Sequence, residues 1–365
     1  MTSSFARVVS GDSHVMEPAD LWEKTIGAKH GDLTPRVFTN YKGRSGRFFW
    51  TGKQVRKFAA IEKEQDQFGF REAGYIPEKR VDFQTQAGVE SEVLYTTHML
   101  LQYPSDYPEV LRDSAAVFND WLAEFCSYAP RRLVGIAVIP MHDVAWATRE
   151  LERAAKKGLK GAMINLAAPK GCPPYRKAVY DPFWARAAEL GVPITLHAAT
   201  GLNPDPLHFE TADELERVSG AMLMLFAEIM PVLSDDFIFG GILDRHPKLK
   251  LVIGEFDLGW IPYFMFRVDS MRNGLGPYVE MPKLKMKPSD YVRERMWHGV
   301  INDPDSAYVV PKIGADRILW GSDFPHIRSI GLDAQGHVKN LLAGLSRPDQ
   351  EKVVGGNTVA LYALA

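Results

Sequence analysis

Cysteine is nearly absent: Cys126 and Cys172 are the only two among 365 residues. That is too few for a disulfide framework, and no secretory apolar region precedes the first predicted strand, so a reducing cytoplasm is the expected compartment. Long hydrophobic runs are missing as well. The longest, Ala221 to Leu233, is shorter than a membrane span and carries Glu228, which predicts a buried helix and no membrane partner. Neither sign of charge dominates, since 43 Lys and Arg face 45 Asp and Glu for a net of -2. Such a balance supplies no field for nucleic acid or an anionic membrane. Internal repeats, low-complexity tracts and domain linkers are also lacking. No Gly-rich phosphate fingerprint follows the first strand, because Gly11-Asp12-Ser13-His14 lacks the second and third glycines.

What remains is an ordinary globular composition, 46% hydrophobic and 24% charged, with ample material for a core. Strand and helix patterns alternate along most of it. Strands are predicted at Ala6 to Gly11, Ser91 to Thr96, Leu133 to Ile139, Gly161 to Leu166, Pro193 to His197, Lys250 to Glu255, Met296 to Ile301 and from Ile318. Helices are predicted between them, at Glu78 to Gly88, Pro108 to Tyr128, Val144 to Lys157, Asp181 to Leu190, Leu258 to Met271 and Pro304 to Ile313, with two more at the C-terminal end. Eight βα units in one domain of residues 1–365 fit an α/β fold of the (β/α)8 TIM-barrel type better than a doubly wound open sheet. From Asp20 to Ile76 the pattern is irregular, basic and aromatic, with a helical stretch near Phe58 to Phe70. An insertion of that length after strand one, residues 20–76, is expected to act as a lid over the C-terminal mouth, although a solvated hairpin or a subunit contact would have the same composition.

In such a barrel all strand ends open on one face. Asp12 and His14 follow strand one, and on an extended backbone residues two apart face the same way while Ser13 turns aside. His197 ends strand five, Glu255 strand six and Asp323 strand eight, with His298 near strand seven. Each has a plainer explanation alone: Asp323 could cap the next helix, and Asp12 with His14 could be a satisfied pair. As a set, imidazoles and carboxylates on one rim are the donors that hold a divalent transition metal.

Three stretches, Asp12-Ser13-His14, Gly191 to His197 and Leu319 to His326, resemble the amidohydrolase-related family of metal-dependent hydrolases and decarboxylases. Val93-Leu94-Tyr95, Phe118 to Trp121, Arg132 to Gly135 and Gly355-Gly356-Asn357 extend the resemblance over nearly the whole chain. It implies one divalent metal held by His14, His197 and Asp323, with Asp12, which stands where members have His or Glu, as a substituted fourth ligand; the imidazoles make zinc the foremost expectation, with manganese or iron as options. It also implies that Asp323 moves protons, and it points to a homo-oligomer, a dimer. Glu255 departs from the pattern, because the decarboxylases carry a histidine at that strand end.

The expected catalytic groups are Asp323, Glu255 and His298, acting on a small-molecule substrate. The leading expectation is a hydrolase that attacks a small aromatic or cyclic carbonyl compound with metal-activated water. The alternatives are nonoxidative decarboxylation of a hydroxylated aromatic or muconate-type acid, and a barrel that binds a metal or ligand without turnover. Decarboxylation would need a cation beside the substrate, for which Arg44, Arg47, Arg71, His298 and His326 are candidates. Phe256, Trp260, Trp297 and Phe324 near the rim suggest a flat apolar substrate, or simply core.

Overall fold

The structure, a computed structural model, describes residues 4–41, 43–52, 55–57, 71–201, 223–275, 280–326 and 331–364. Eight parallel strands form one sheet: β1 (Val9–His14), β5 (Ser91–Tyr95), β6 (Leu133–Ile139), β7 (Gly161–Ile164), β8 (Ile194–His197), β9 (Leu251–Gly254), β10 (Met296–Val300) and β11 (Ile318–Trp320). They pair in chain order. Beyond the regular ladder, Asp323 donates its N–H to the Asp12 carbonyl at 2.9 Å and His14 donates to Phe324 at 2.7 Å, which draws the last strand onto the first. The result is the (β/α)8 barrel. Strands covered by helices outside and packed side chains inside should be apolar throughout, and β6 to β9 are buried at every position.

Two glycines allow the close approaches on which the mouth depends. A Cβ on Gly321 would lie 2.5 Å from Asp12 Cβ, so only glycine lets the segment after β11 lie against β1. A Cβ on Gly254 would lie 2.8 Å from the His197 ring, so glycine clears the space that this ring occupies.

Sequence periodicity placed the strands within a few residues, with one informative shift. The first strand begins at Val9 and runs to His14, so Asp12 and His14 lie on the strand itself, where pairing fixes them. A register irregularity between Ser10 and Ser13 accompanies this. Within the insertion, β2 (Arg36–Tyr41), β3 (Arg44–Trp50) and β4 (Val55–Lys57) form a separate antiparallel sheet in place of the irregular segment expected. The helical stretch expected at 58–70 lies outside the described residues. The run from Ala221 is less buried than expected: Leu223 is 72% exposed, and full burial begins only at Ile229. None of the described helices is long and apolar enough to cross a membrane.

Candidate metal centre and active site

At the mouth, β1 contributes Asp12 and His14, β8 contributes His197, and the turns after β9 and β11 contribute Glu255 and Asp323. His14 Nε2 is 3.5 Å from both Asp12 Oδ1 and Asp323 Oδ1, and His197 Nε2 is 3.5 Å from Asp12 Oδ1. The orientation of the two imidazoles is set from behind. His14 Nδ1 donates to the Thr96 carbonyl at 2.7 Å and His197 Nδ1 to the Ala198 carbonyl at 3.0 Å. A carbonyl can only accept, so each ring turns its Nε2 to the same small space; that of His14 carries a lone pair, and that of His197 shares a proton with Asp12 Oδ1 that a cation would displace. This is the arrangement by which backbone carbonyls fix metal-ligating histidines. His14 Nε2, Asp12 Oδ2 and both Asp323 carboxylate oxygens are buried without a hydrogen-bond partner. Unsatisfied buried acceptors of this kind are costly unless a cation is shared among them. The donor set therefore fits a divalent metal.

The electrostatics agree. Burial drives the His14 pKa well below its usual value, keeping it neutral. Burial would lower His197 too, but the Asp12 carboxylate and then Glu255 overcome that and raise it to about 9. The space between His197 and Asp12 thus favours positive charge. Asp12 is raised by desolvation. Burial, reinforced by the nearby Asp323 carboxylate, pushes Glu255 up to about 7. Its Oε2 lies 3.5 Å from His197 Nδ1.

Two of these side chains stand on strained backbone. Glu255 has φ 65° and Asp323 φ 53°, the left-handed region that costs a non-glycine residue of order 1 kcal/mol. Both lie just past a strand end, where the turn re-aims the side chain into the mouth. The pairing of Asp323 with Asp12 holds that geometry in place.

His298 is not brought to this cluster. It sits in the middle of β10 and its Nε2 donates to the Val292 carbonyl at 2.9 Å, so the ring faces the covering helix Pro288–Arg295. Burial lowers its pKa to about 4. Proximity to a strand end in sequence did not reveal which way the side chain points. Among the rim aromatics, Phe324 stacks on Phe83 at 3.7 Å and lies 4.8 Å from the Arg80 guanidinium, while Trp297 lies 4.1 Å from that of Arg317. Those contacts make both part of the packing. Phe256 is buried beside Phe226, and Trp260 meets His298 edge-on with ring centroids 6.5 Å apart. Arg47 is buried on β3, and the side chains of Arg44 and Arg71 lie outside the described residues.

His326, noted from sequence only as a rim cation, reaches the centre. Its ring stacks on His14 with centroids 3.8 Å apart, and Nδ1 is 2.9 Å from Asp323 Oδ1. Sequence reasoning missed the supports beneath. Tyr95 forms a floor, its ring 4.9 Å from that of His197 and its hydroxyl 3.2 Å from Thr195 Oγ1. Arg80 pairs with Glu92 at 2.5 Å and donates to the His14 carbonyl at 2.7 Å, while Glu92 accepts from Ser13 at 3.0 Å. This buried pair pins the backbone of β1 from outside the barrel. Neither Arg80 nor Glu92 had a recognisable spacing in the sequence.

The amidohydrolase family pattern matches residues 49–364. The chain belongs to the amidohydrolase family. It is 29% identical over 297 residues to gamma-resorcylate decarboxylase of Polaromonas sp. strain JS666, covering 79% of this chain and 88% of that one. An amidohydrolase crystal structure from Mycobacterium avium subsp. paratuberculosis superposes with a TM-score of 0.77 at 19% identity, over 98% of this chain and 97% of that one. A dihydroxybenzoic acid decarboxylase structure from Polaromonas sp. JS666, with bound manganese and 2-nitroresorcinol, gives 0.68 at 24% identity, over 98% and 97%. Membership makes this amidohydrolase an enzyme, a metal-dependent hydrolase or carboxy-lyase. The reading as a barrel without turnover falls away. So does the priority given to hydrolysis, since the similar curated proteins include gamma-resorcylate decarboxylases and an aminocarboxymuconate semialdehyde decarboxylase, which favours the decarboxylase alternative.

Proposed function

We propose that this amidohydrolase is a nonoxidative decarboxylase of a hydroxylated aromatic carboxylic acid, working with one divalent metal. The observation that carries the metal is the pair of Nε2 atoms of His14 and His197, turned inward by their Nδ1 hydrogen bonds, facing the unpartnered oxygens of Asp12 and Asp323. The reaction class rests on the sequence relatives. Manganese in a relative of the same fold makes it a candidate beside zinc.

Asp12, His14, His197 and Asp323 would hold the cation. When bound, it supplies fixed positive charge for the carboxylate and neighbouring hydroxyl of the substrate. The ring carbon that loses carbon dioxide must gain a proton, and the chain has to deliver it. Glu255 is the acid best placed for this. It stands at the rim with its side chain 15% exposed, against 3% or less for Asp12, His14, His197 and Asp323. Burial beside the Asp323 carboxylate raises it to about 7 in the metal-free chain, which makes it the carboxyl at the rim most inclined to carry a proton. A carboxyl thus does the work of the histidine expected at this strand end. Asp323, deeper and closer to His14, can hold the proton of the substrate hydroxyl and return it to the product, while Glu255 at the rim regains its own proton from solvent.

The β2–β3–β4 sheet is proposed as a lid. Its Phe49 lies 4.8 Å from the ring of His98, which pairs with Glu17 one residue past Thr97 on the mouth side of β5. Deleting the insertion should weaken substrate binding; unchanged affinity would remove this role.

Metal-loaded protein incubated with a panel of hydroxybenzoates should release carbon dioxide. No gas, together with cleavage of an ester, lactone or amide, would reverse the assignment in favour of hydrolysis.

A further inference from the structure

Glu255 keeps its left-handed backbone only because its surroundings hold it there. The turn that carries it is fastened to the next strand-end loop by two carboxylates pointing in opposite directions. From the β9 side, Asp257 Oδ1 accepts the N–H groups of Ile301 and Asn302, just past β10, at 3.0 and 3.4 Å. From the β10 side, Asp303 Oδ2 accepts those of Leu258 and Gly259 at 2.9 and 2.7 Å. Backbone donors satisfied by an ionised acceptor make stronger bonds than neutral pairs do. Each loop therefore grips the other.

The grip reaches Glu255 from both directions along the chain. Downstream, Asp257 is itself left-handed, with φ 54°, two residues after Glu255 with φ 65°. Upstream, the Gly254 carbonyl accepts the Ala198 N–H at 3.2 Å, which ties the preceding residue to β8. Alongside, Gly299 lets β10 lie close against this backbone, since a Cβ there would come within 3.3 Å of the Glu255 nitrogen. Glu255 can shift only if the two loops part.

We propose that Asp257 and Asp303 are positioning residues for Glu255, their reciprocal clasp setting the direction from which its carboxyl reaches the ring carbon of the substrate. This rests on the role of Glu255 as the acid argued above and adds what aims it. A proton donor works only within hydrogen-bond reach of its acceptor, and a misplacement of about 1 Å can cost about 10²-fold in rate. The proposed metal ligands lie on β1, on β8 and after β11, outside the clasp. Opening it should slow the chemical step and leave the metal in place.

The test is a double-mutant cycle on the metal-loaded full chain, read as carbon dioxide release from the best substrate of the hydroxybenzoate panel. Asp257→Gly keeps the left-handed backbone and loses the acceptor, whereas Asp257→Asn keeps both. Asp303→Ala opens the other half of the clasp and serves if Asp257→Gly does not fold. Asp257→Gly and Asp303→Ala should each lower kcat by at least about 10-fold with KM within about twofold and metal stoichiometry at the parental value, and Asp257→Asn should recover most of the loss. In a Glu255→Gln background the same changes should cost less than about twofold, because no acid is left to misaim. A loss of equal size in both backgrounds, or a parental kcat in the folded single variants, would overturn the positioning role and leave Glu255 as the acid. A Glu255→Gln protein as active as the parent would instead bring down the acid itself and the clasp's role with it.

Discussion

The backbone N–H of Asp323 donates to the carbonyl of Asp12 at 2.9 Å. The hydrogen bond that brings the end of the barrel onto its beginning thus also sets the spacing of two carboxylates that face the same imidazole. Closure and site assembly are one event, and perturbing either should be felt by both.

Removing a ligand should therefore remove metal and turnover together. His197→Ala takes away the imidazole shared with Asp12, and elemental analysis of the purified variant should show loss of the divalent ion. Activity persisting in a metal-free His197→Ala protein would reject the centre.

Glu255→Gln should lower the decarboxylation rate by about 10²- to 10⁴-fold, the usual weight of a general acid, while metal stoichiometry stays at the parental value. A second consequence concerns stability of the metal-free protein. The carboxyl titrates near 7 when folded, against an ordinary 4.5. Between those values the folded state holds a proton that the unfolded state has lost, so this group's contribution is full below 4.5 and declines as pH rises through 7. Urea melts across that window should show a shallower decline in Glu255→Gln.

His298 has the opposite sign. Its pKa falls from 6.5 to about 4 on folding, so its contribution is full above 6.5 and is lost as pH falls through 4. Integrated over that window the effect is at most about 3 kcal/mol. His298→Gln can keep the hydrogen bond to Val292 without a titrating ring. Acid titration of its stability should be flatter than that of the parent, with metal content and rate unchanged. A large loss of rate would return His298 to the catalytic set.

Arg80→Met should destabilise the fold by about 3–5 kcal/mol, because it leaves Glu92 charged and buried. Gln84 at 2.9 Å cannot replace the guanidinium. Metal affinity should weaken as a secondary effect, since Arg80 also holds the His14 carbonyl. Chemical denaturation followed by metal titration of the surviving folded fraction would separate the two effects.

The sequence by itself determined the βα alternation, because strands buried on both faces must be apolar runs and their covering helices must be amphipathic. It also marked Asp12, His14, His197, Glu255 and Asp323, since polar residues ending such runs are conspicuous against them. Ring directions were not legible. His298 and His197 look alike in sequence, yet one hydrogen-bonds to a helix outside the barrel and the other meets Asp12 inside it. Nor were contacts between distant segments: His326 on His14, Arg80 on Glu92 and Thr96 behind His14 join residues whose separation along the chain has no period. Local pattern fixes which residues reach a strand end, because burial acts residue by residue. Only closure of the barrel decides which of them share a point in space.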